Sequence, residues 1–220
     1  MKWAGRLLSA YGFALLAAVC FGVVVLLIGE RRIGGFDSAV ISAVQGWESP
    51  GLTKLMEGLT WFGRTGPISA FSVVVMVLLY FALGHRRELI LFLAVMLGTS
   101  LLNKVLKGFF HRERPSLHRL AEETGYSFPS GHAMASFALF GVIAYLLWRH
   151  VRSGGGRLAL AAVCALLTLA IGISRIYLGV HYPSDVIGGY LVSGIWLGLA
   201  IGFYERRSGN HKHRQGEKRS

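Results

Sequence analysis

Six stretches of the chain are predominantly apolar: Leu7 to Ile28, Pro67 to Leu83, Leu89 to Phe110, Ala133 to Trp148, Leu158 to Ile173 and Val186 to Phe203. A helix rises about 1.5 Å per residue and a bilayer core is about 30 Å thick, so roughly 20 apolar residues make one crossing. The shorter runs reach that length only with a turn from each flank. The pattern predicts an all-α membrane protein, a six-span transmembrane helical bundle. Between the first two spans, Glu30 to Arg64 mixes charges with Gly34-Gly35 and Pro50-Gly51. Apolar residues recur there at near-helical spacing, first Val40, Ile41, Val44 and Trp47, then Leu52, Leu55, Met56 and Leu59. That spacing fits an amphipathic helical segment lying on the membrane surface, and an ordinary packed loop fits it as well. No internal repeat is evident.

Composition agrees with the pattern. Hydrophobic residues make up 53% of the chain and charged residues 15%, and the mean hydropathy is +0.52, values of an integral membrane protein. The whole of 1–220 reads as one membrane domain, with an outer loop at 28–66 and a basic tail at 204–220. The first run follows Lys2 and Arg6 as a signal peptide would, but it exceeds a typical apolar signal core and no small-x-small site follows it, so it is expected to be retained. Ala17-Ala18-Val19-Cys20 only faintly resembles a lipoprotein cleavage site, because Val19 is bulky where a small residue is expected. Cys20 and Cys164 both fall inside apolar runs and offer neither a disulfide framework nor metal spacing.

Charge sets the orientation. The net charge is +12, which on a soluble fold would point to nucleic acid, but here the basic residues sit between apolar runs and in the tail. With six spans, the N-terminus, the turn His85-Arg86-Arg87, the turn from Arg149 to Arg157 and the tail from Glu205 share one side, which the positive-inside rule makes cytoplasmic. His211-Lys212-His213-Arg214 reads as solvated tail rather than a metal site.

Parity of the spans then brings polar groups together at the opposite face. The third span ends near Lys107 and the fifth near Ser174-Arg175, while the fourth begins at Ser130 and the sixth just after His181. Lys107, Arg114, Ser130, His132, Arg175, His181 and Asp185 meet there, and such groups fit poorly against lipid. Three cations at one spot repel unless an anion lies among them. Arginine forks match phosphate oxygens, and Pro129-Ser130-Gly131 before an apolar run is a helix start whose free N–H groups hold an anion. His181 and Asp185 are four apart, with Pro183 at a natural first helical position. A carboxylate bonded to one ring nitrogen leaves the other free to attack, so His181 is the expected nucleophile and His132 the proton donor to the leaving oxygen. Taken singly, Lys107 and Arg114 read as snorkelling residues, Arg175 and Asp185 as a salt bridge, and the histidines as interfacial. The joint pattern is what favours a phosphate site.

These blocks resemble the type 2 phosphatidic acid phosphatase superfamily. Lys-x6-Arg-Pro appears as Lys107 to Arg114-Pro115, Pro-Ser-Gly-His as Pro129 to His132, and Ser-Arg-x5-His-x3-Asp as Ser174-Arg175 through His181 to Asp185. The resemblance covers 107–185 and implies a phosphohistidine intermediate on His181, with His132 as general acid, Asp185 orienting His181, and no cofactor or catalytic metal. It further implies that phosphate is bound by Lys107, Arg114, Ser130, Gly131 and Arg175. The superfamily also holds soluble acid phosphatases and vanadate-dependent haloperoxidases; the spans favour its lipid phosphatase branch. The match is similar to small bacterial members acting on phosphatidylglycerolphosphate or undecaprenyl pyrophosphate, with phosphatidic acid also a possible substrate. Such a protein would sit in the bacterial cytoplasmic membrane with its site outward, where undecaprenyl pyrophosphate is released, which tilts the expectation toward that lipid. Its partners would be the bilayer and a lipid phosphate, with no nucleic acid and no obligate protein partner.

Two other readings compete. A transporter would carry polar residues along the depth of several spans, whereas these gather at one end. A scaffold binding anionic lipid would need the cations but neither His181 nor Asp185. Gly188, Gly189, Gly194, Gly198 and Gly202 in the sixth span fit close helix packing or, alternatively, a groove for a lipid tail. Glu122 and Glu123 read as a solvated loop or as a gate, and His111 and His118 as ligands only if further ones joined them.

Overall fold

The computed structural model describes residues 2–82, 86–116 and 118–217. Its regular elements are helices: α1 (Lys2–Gly29), α2 (Gly34–Gln45), α3 (Pro50–Phe62), α4 (Thr65–Val77), α5 (Arg86–Phe110), α6 (Gly131–Trp148), α7 (Gly154–Tyr177) and α8 (Pro183–Glu217), with a π-helical turn, Leu78–Ala82, after α4. Five of them contain stretches long and apolar enough to cross a membrane: Leu7–Gly29, Glu88–Phe110, Gly131–Trp148, Gly154–Tyr177 and Pro183–Ser208. This is the architecture of an integral membrane protein.

The second expected span is where the structure departs from the hydropathy pattern. α4 has 13 residues, about 20 Å of helix and too short for a crossing by itself. It follows α3 through a 56° bend, and the two together pass for one broken span or a re-entrant pair. Sequence chemistry explains the break. Ser49 caps α3 through its hydroxyl, Pro50 occupies the first helical position, and Gly63-Arg64 interrupts the helix before α4 begins. The region expected as a surface segment or packed loop therefore carries two helices, α2 and α3. α2 packs on α7 and α8, and α3 packs on α7.

α6 stands at the centre and packs against α5, α7 and α8. Its facing side chains build the main core, where Phe92 and Val95 of α5 meet Ala138, Leu139 and Val142 of α6. α1 lies along α8 in the most extensive helix pairing of the fold. Gly198 makes that approach possible, since a Cβ there would lie 2.9 Å from the Ala10 carbonyl oxygen and 3.0 Å from Ala14 Cβ. Gly194 meets Phe13 and Gly202 meets Tyr11 in the same seam, so this part of the glycine row is close packing. At the far end of α5, α6 and α8 from the motif residues, Glu205 takes hydrogen bonds from Tyr145 (2.7 Å) and Arg149 (3.1 Å), and Tyr204 donates to Glu88 at 2.9 Å.

The expected tail at 204–220 begins as a continuation of α8, which stays helical to Glu217. His85 of the first basic turn and residues 218–220 lie outside the described residues.

Candidate active site

The turn between α7 and α8 carries the central histidine. Gly179 has φ +69°, and a Cβ there would lie 1.9 Å from the His118 carbonyl oxygen, so only glycine fits. The N–H groups of Val180 and His181 both reach back to the Arg175 carbonyl, at 3.2 and 3.3 Å. This folds the chain back on itself, sets His181 beside the end of α7, and lets Pro183 open α8.

His181 is almost wholly buried, as is Asp185. Its Nδ1 lies 3.4 Å from Asp185 Oδ2, and its Nε2 lies 3.1 Å from Arg114 Nη1. A guanidinium only donates, so Nε2 is the acceptor and the proton sits on Nδ1, toward the carboxylate. Burial pushes the imidazole down to about 4, and the hydrogen bond and charge of Asp185 only partly oppose it. The ring is therefore neutral near neutral pH, with the Nε2 lone pair turned toward Arg114 Nη1.

Asp185 is fixed on every side. Oδ2 also accepts from Tyr182 N–H at 2.8 Å and from the Ser127 hydroxyl, and Oδ1 accepts from Arg112 Nη1 at 2.6 Å. Arg114 spends its other donors on backbone carbonyls: Nε on Gly125 (2.9 Å), Nη2 on Thr124 (3.0 Å) and Nη1 also on Val180 (2.8 Å). It thereby ties the loop after α5 to the histidine turn. Burial lowers its pKa, with Glu123 and Asp185 opposing.

Ser130 is the N-cap of α6 and accepts from Ala133 N–H through its hydroxyl, at 3.5 Å. Its own N–H reaches the Asp185 carbonyl at 3.1 Å, joining the start of α6 to the start of α8. Gly131 and His132 occupy the first turn, where backbone N–H groups have no intrahelical acceptor. Gly131 sits against Asn103, whose amide donates to the Pro129 carbonyl at 3.1 Å. His132 has Arg175, His181, Lys107 and Arg64 within electrostatic reach. Among the described residues, neither its buried Nε2 nor the buried Nε of Arg175 has a hydrogen-bond partner. Two unpaired buried nitrogens in one site are costly unless something else fills them.

Arg175 donates from Nη1 to Thr60 Oγ1 and from Nη2 to Glu123 Oε1, at 2.5 Å. Lys107, on the last turn of α5, lies within electrostatic reach of Arg114, Glu123, Asp185 and Arg175. All the motif residues singled out in the sequence thus come to one place.

Several of their neighbours were not foreseen: Thr60, Arg112, Ser127, Ser184 and the buried Asp37. Arg112 and Ser127 lie inside or beside the motifs, which was a usable signal. Thr60 and Asp37 come from the α2–α3 region, where the sequence shows nothing distinctive. Of the residues weighed as ligands, His118 Nε2 pairs with Glu48 Oε2 at 2.7 Å, and His111 meets the edge of Tyr126.

A helical membrane bundle with these three blocks at one end has known counterparts. The chain belongs to the PAP2 superfamily, whose family model matches residues 88–208. It is 32% identical over 189 residues to phosphatidylglycerophosphatase B of Bacillus subtilis strain 168, covering 84% of this chain and 92% of that one. Undecaprenyl-diphosphatase of Sulfolobus acidocaldarius is 28% identical over 197 residues, covering 85% of this chain and 87% of its own length. The crystal structure of a transmembrane PAP2 type phosphatidylglycerolphosphate phosphatase from Bacillus subtilis superposes with a TM-score of 0.79 at 28% identity, over 89% of this chain and 96% of that chain.

Proposed function

We propose that this protein hydrolyses the terminal phosphate of a membrane lipid through a phosphohistidine on His181. The observation that carries the reading is the neutral, buried His181 held by Asp185 among Lys107, Arg114 and Arg175, with His132 Nε2 and Arg175 Nε left unpaired nearby. A scaffold for anionic lipids has no use for the histidine–aspartate pair.

The chemistry proceeds in two displacements. His181 Nε2 attacks phosphorus as the bond to the lipid oxygen breaks, and His132 supplies the proton that oxygen needs. Asp185 compensates the positive charge that His181 gains. Water then attacks the phosphohistidine, His132 takes a proton from it, the P–N bond breaks, and phosphate leaves with His181 restored. Lys107, Arg114 and Arg175 stabilise the charge on the phosphoryl oxygens, together with the Ser130 hydroxyl and the N–H groups of Gly131 and His132.

The substrate class is a lipid with a terminal phosphate, either phosphatidylglycerolphosphate or undecaprenyl pyrophosphate, as the names of the relatives suggest. The basic turns support a site on the outer face of a cytoplasmic membrane, with both termini inside. That placement favours the pyrophosphate. The test is phosphate release by detergent-purified protein in excess EDTA, with these two lipids and phosphatidic acid in parallel beside His181→Ala. Release that survives EDTA and vanishes in the variant is expected, and the ranking of lipids names the substrate. Release from none of the three would overturn the reading.

A further inference from the structure

The helix α2, remote from the motifs in sequence, sends one carboxylate into the site. Asp37 is 2% exposed. Its Oδ1 accepts from Ser184 N–H at 2.9 Å and its Oδ2 from the Ser184 hydroxyl at 2.7 Å, so it caps the first turn of α8 from another helix. Oδ2 also receives Arg112 Nη2 at 2.9 Å. The other terminal nitrogen of the same guanidinium, Nη1, holds Ser184 Oγ at 2.8 Å and Asp185 Oδ1 at 2.6 Å. Arg112 lies over the Tyr182 ring, with its central carbon 4.3 Å from the ring centroid.

We propose that Arg112, held in place by Asp37, is a positioning residue that fixes the Asp185 carboxylate with Oδ2 toward His181. The inference rests on the proposed roles of His181 and Asp185. A carboxylate with one free oxygen can rotate about its Cβ–Cγ bond, and the bond to His181 Nδ1 then wanders. Arg112 pins the far oxygen, while Tyr182 N–H and Ser127 pin the near one. Arg112 also separates two buried anions, Asp37 and Asp185, that would otherwise repel each other at the start of α8. Asp37 fixes the arginine in turn, and its grip on Ser184 sets the helix end from which Asp185 projects. Both terminal nitrogens of Arg112 are committed to these partners, which distinguishes it from a cation waiting for substrate.

A double-mutant cycle tests this. kcat and KM for lipid phosphate release are measured for Arg112→Gln, Arg112→Lys, Asp37→Asn and Asp185→Asn, and for Asp37→Asn and Arg112→Gln each combined with Asp185→Asn. Thermal melting of each variant reports whether it folds. Arg112→Gln and Asp37→Asn should each lower kcat on the order of 10- to 100-fold with KM changed less than about threefold, as expected for lost orientation. Arg112→Lys should recover part of the loss. In the Asp185→Asn background, where no carboxylate remains to orient, either substitution should cost less than about threefold more. Equal losses in both backgrounds, or a rise in KM without a fall in kcat, would overturn the proposal and make Arg112 a structural or phosphate-binding residue. Full activity of Asp185→Asn would instead sink the catalytic assignment beneath it.

Discussion

Glu123 Oε1 lies 2.5 Å from Arg175 Nη2, so a carboxylate of the loop between α5 and α6 occupies a guanidinium that the motif assigns to phosphate. Burial alone would raise the Glu123 pKa; the charge and hydrogen bond of Arg175 outweigh it, and the pKa falls below its ordinary value. If Arg175 binds phosphate as proposed, carboxylate and phosphate compete for one arginine.

Removing that competition should tighten phosphate binding. Inorganic phosphate inhibiting lipid hydrolysis should show an inhibition constant about three- to tenfold lower in Glu123→Gln than in the parent protein, where tenfold corresponds to about 1.4 kcal/mol. A weaker phosphate affinity in the variant would mean that Glu123 supports the anion site instead of filling it.

The depressed pKa of His181 predicts a specific titration. With a folded value of about 4 and an ordinary value near 6.5, the ring should remain mostly neutral down to about pH 5 in the substrate-free protein. Nitrogen NMR of labelled imidazoles, assigned with His181→Ala, reads this directly. Asp185→Asn should lower the midpoint further, because Asp185 favours the charged ring. The sign for stability follows. Between about 6.5 and 4 the unfolded chain binds the proton and the folded one does not, so this contribution is full above the upper value and is lost as pH falls through that window. A His181 midpoint at or above 6.5 would contradict the burial argument.

Gly63 at the α3–α4 bend makes room for His132. A Cβ there would lie 2.7 Å from His132 Cδ2 and 3.0 Å from Ile171 Cγ2. Gly63→Ala should therefore displace the proposed proton donor and lower kcat by roughly tenfold or more, with a much smaller effect on KM. Unchanged kcat in a folded variant would place the elbow outside the catalytic geometry.

What the sequence made legible follows from how each feature is encoded. The apolar runs that became α1, α5, α6, α7 and α8 are continuous, so hydropathy alone locates them. α3 is not, since its apolar residues recur at helical spacing among polar ones, and its pairing with α4 depends on a bend at Gly63-Arg64 that no periodicity marks. Lys107, Arg114, His132, Arg175, His181 and Asp185 were visible because charged and imidazole side chains beside apolar runs demand a reason, and Ser130 because Pro129-Ser130-Gly131 marks a helix start. Asp37 was not visible, because its meaning comes from Ser184, 147 residues away, and from Arg112, 75 residues away. Thr60 carries no diagnostic chemistry until Arg175 is placed against it. Glycines 194, 198 and 202 favoured close packing over a groove, and the Ala10 carbonyl and the rings of Phe13 and Tyr11 lie against them.

The central claim is a covalent bond between His181 and phosphate. Its most direct test is a single-turnover reaction with terminally 32P-labelled lipid, quenched in alkali, where phosphohistidine survives, followed by mapping of the labelled peptide. The account predicts transient label on His181, and none in His181→Ala. Label on a different residue, or turnover by His181→Ala at the parent rate, would contradict it.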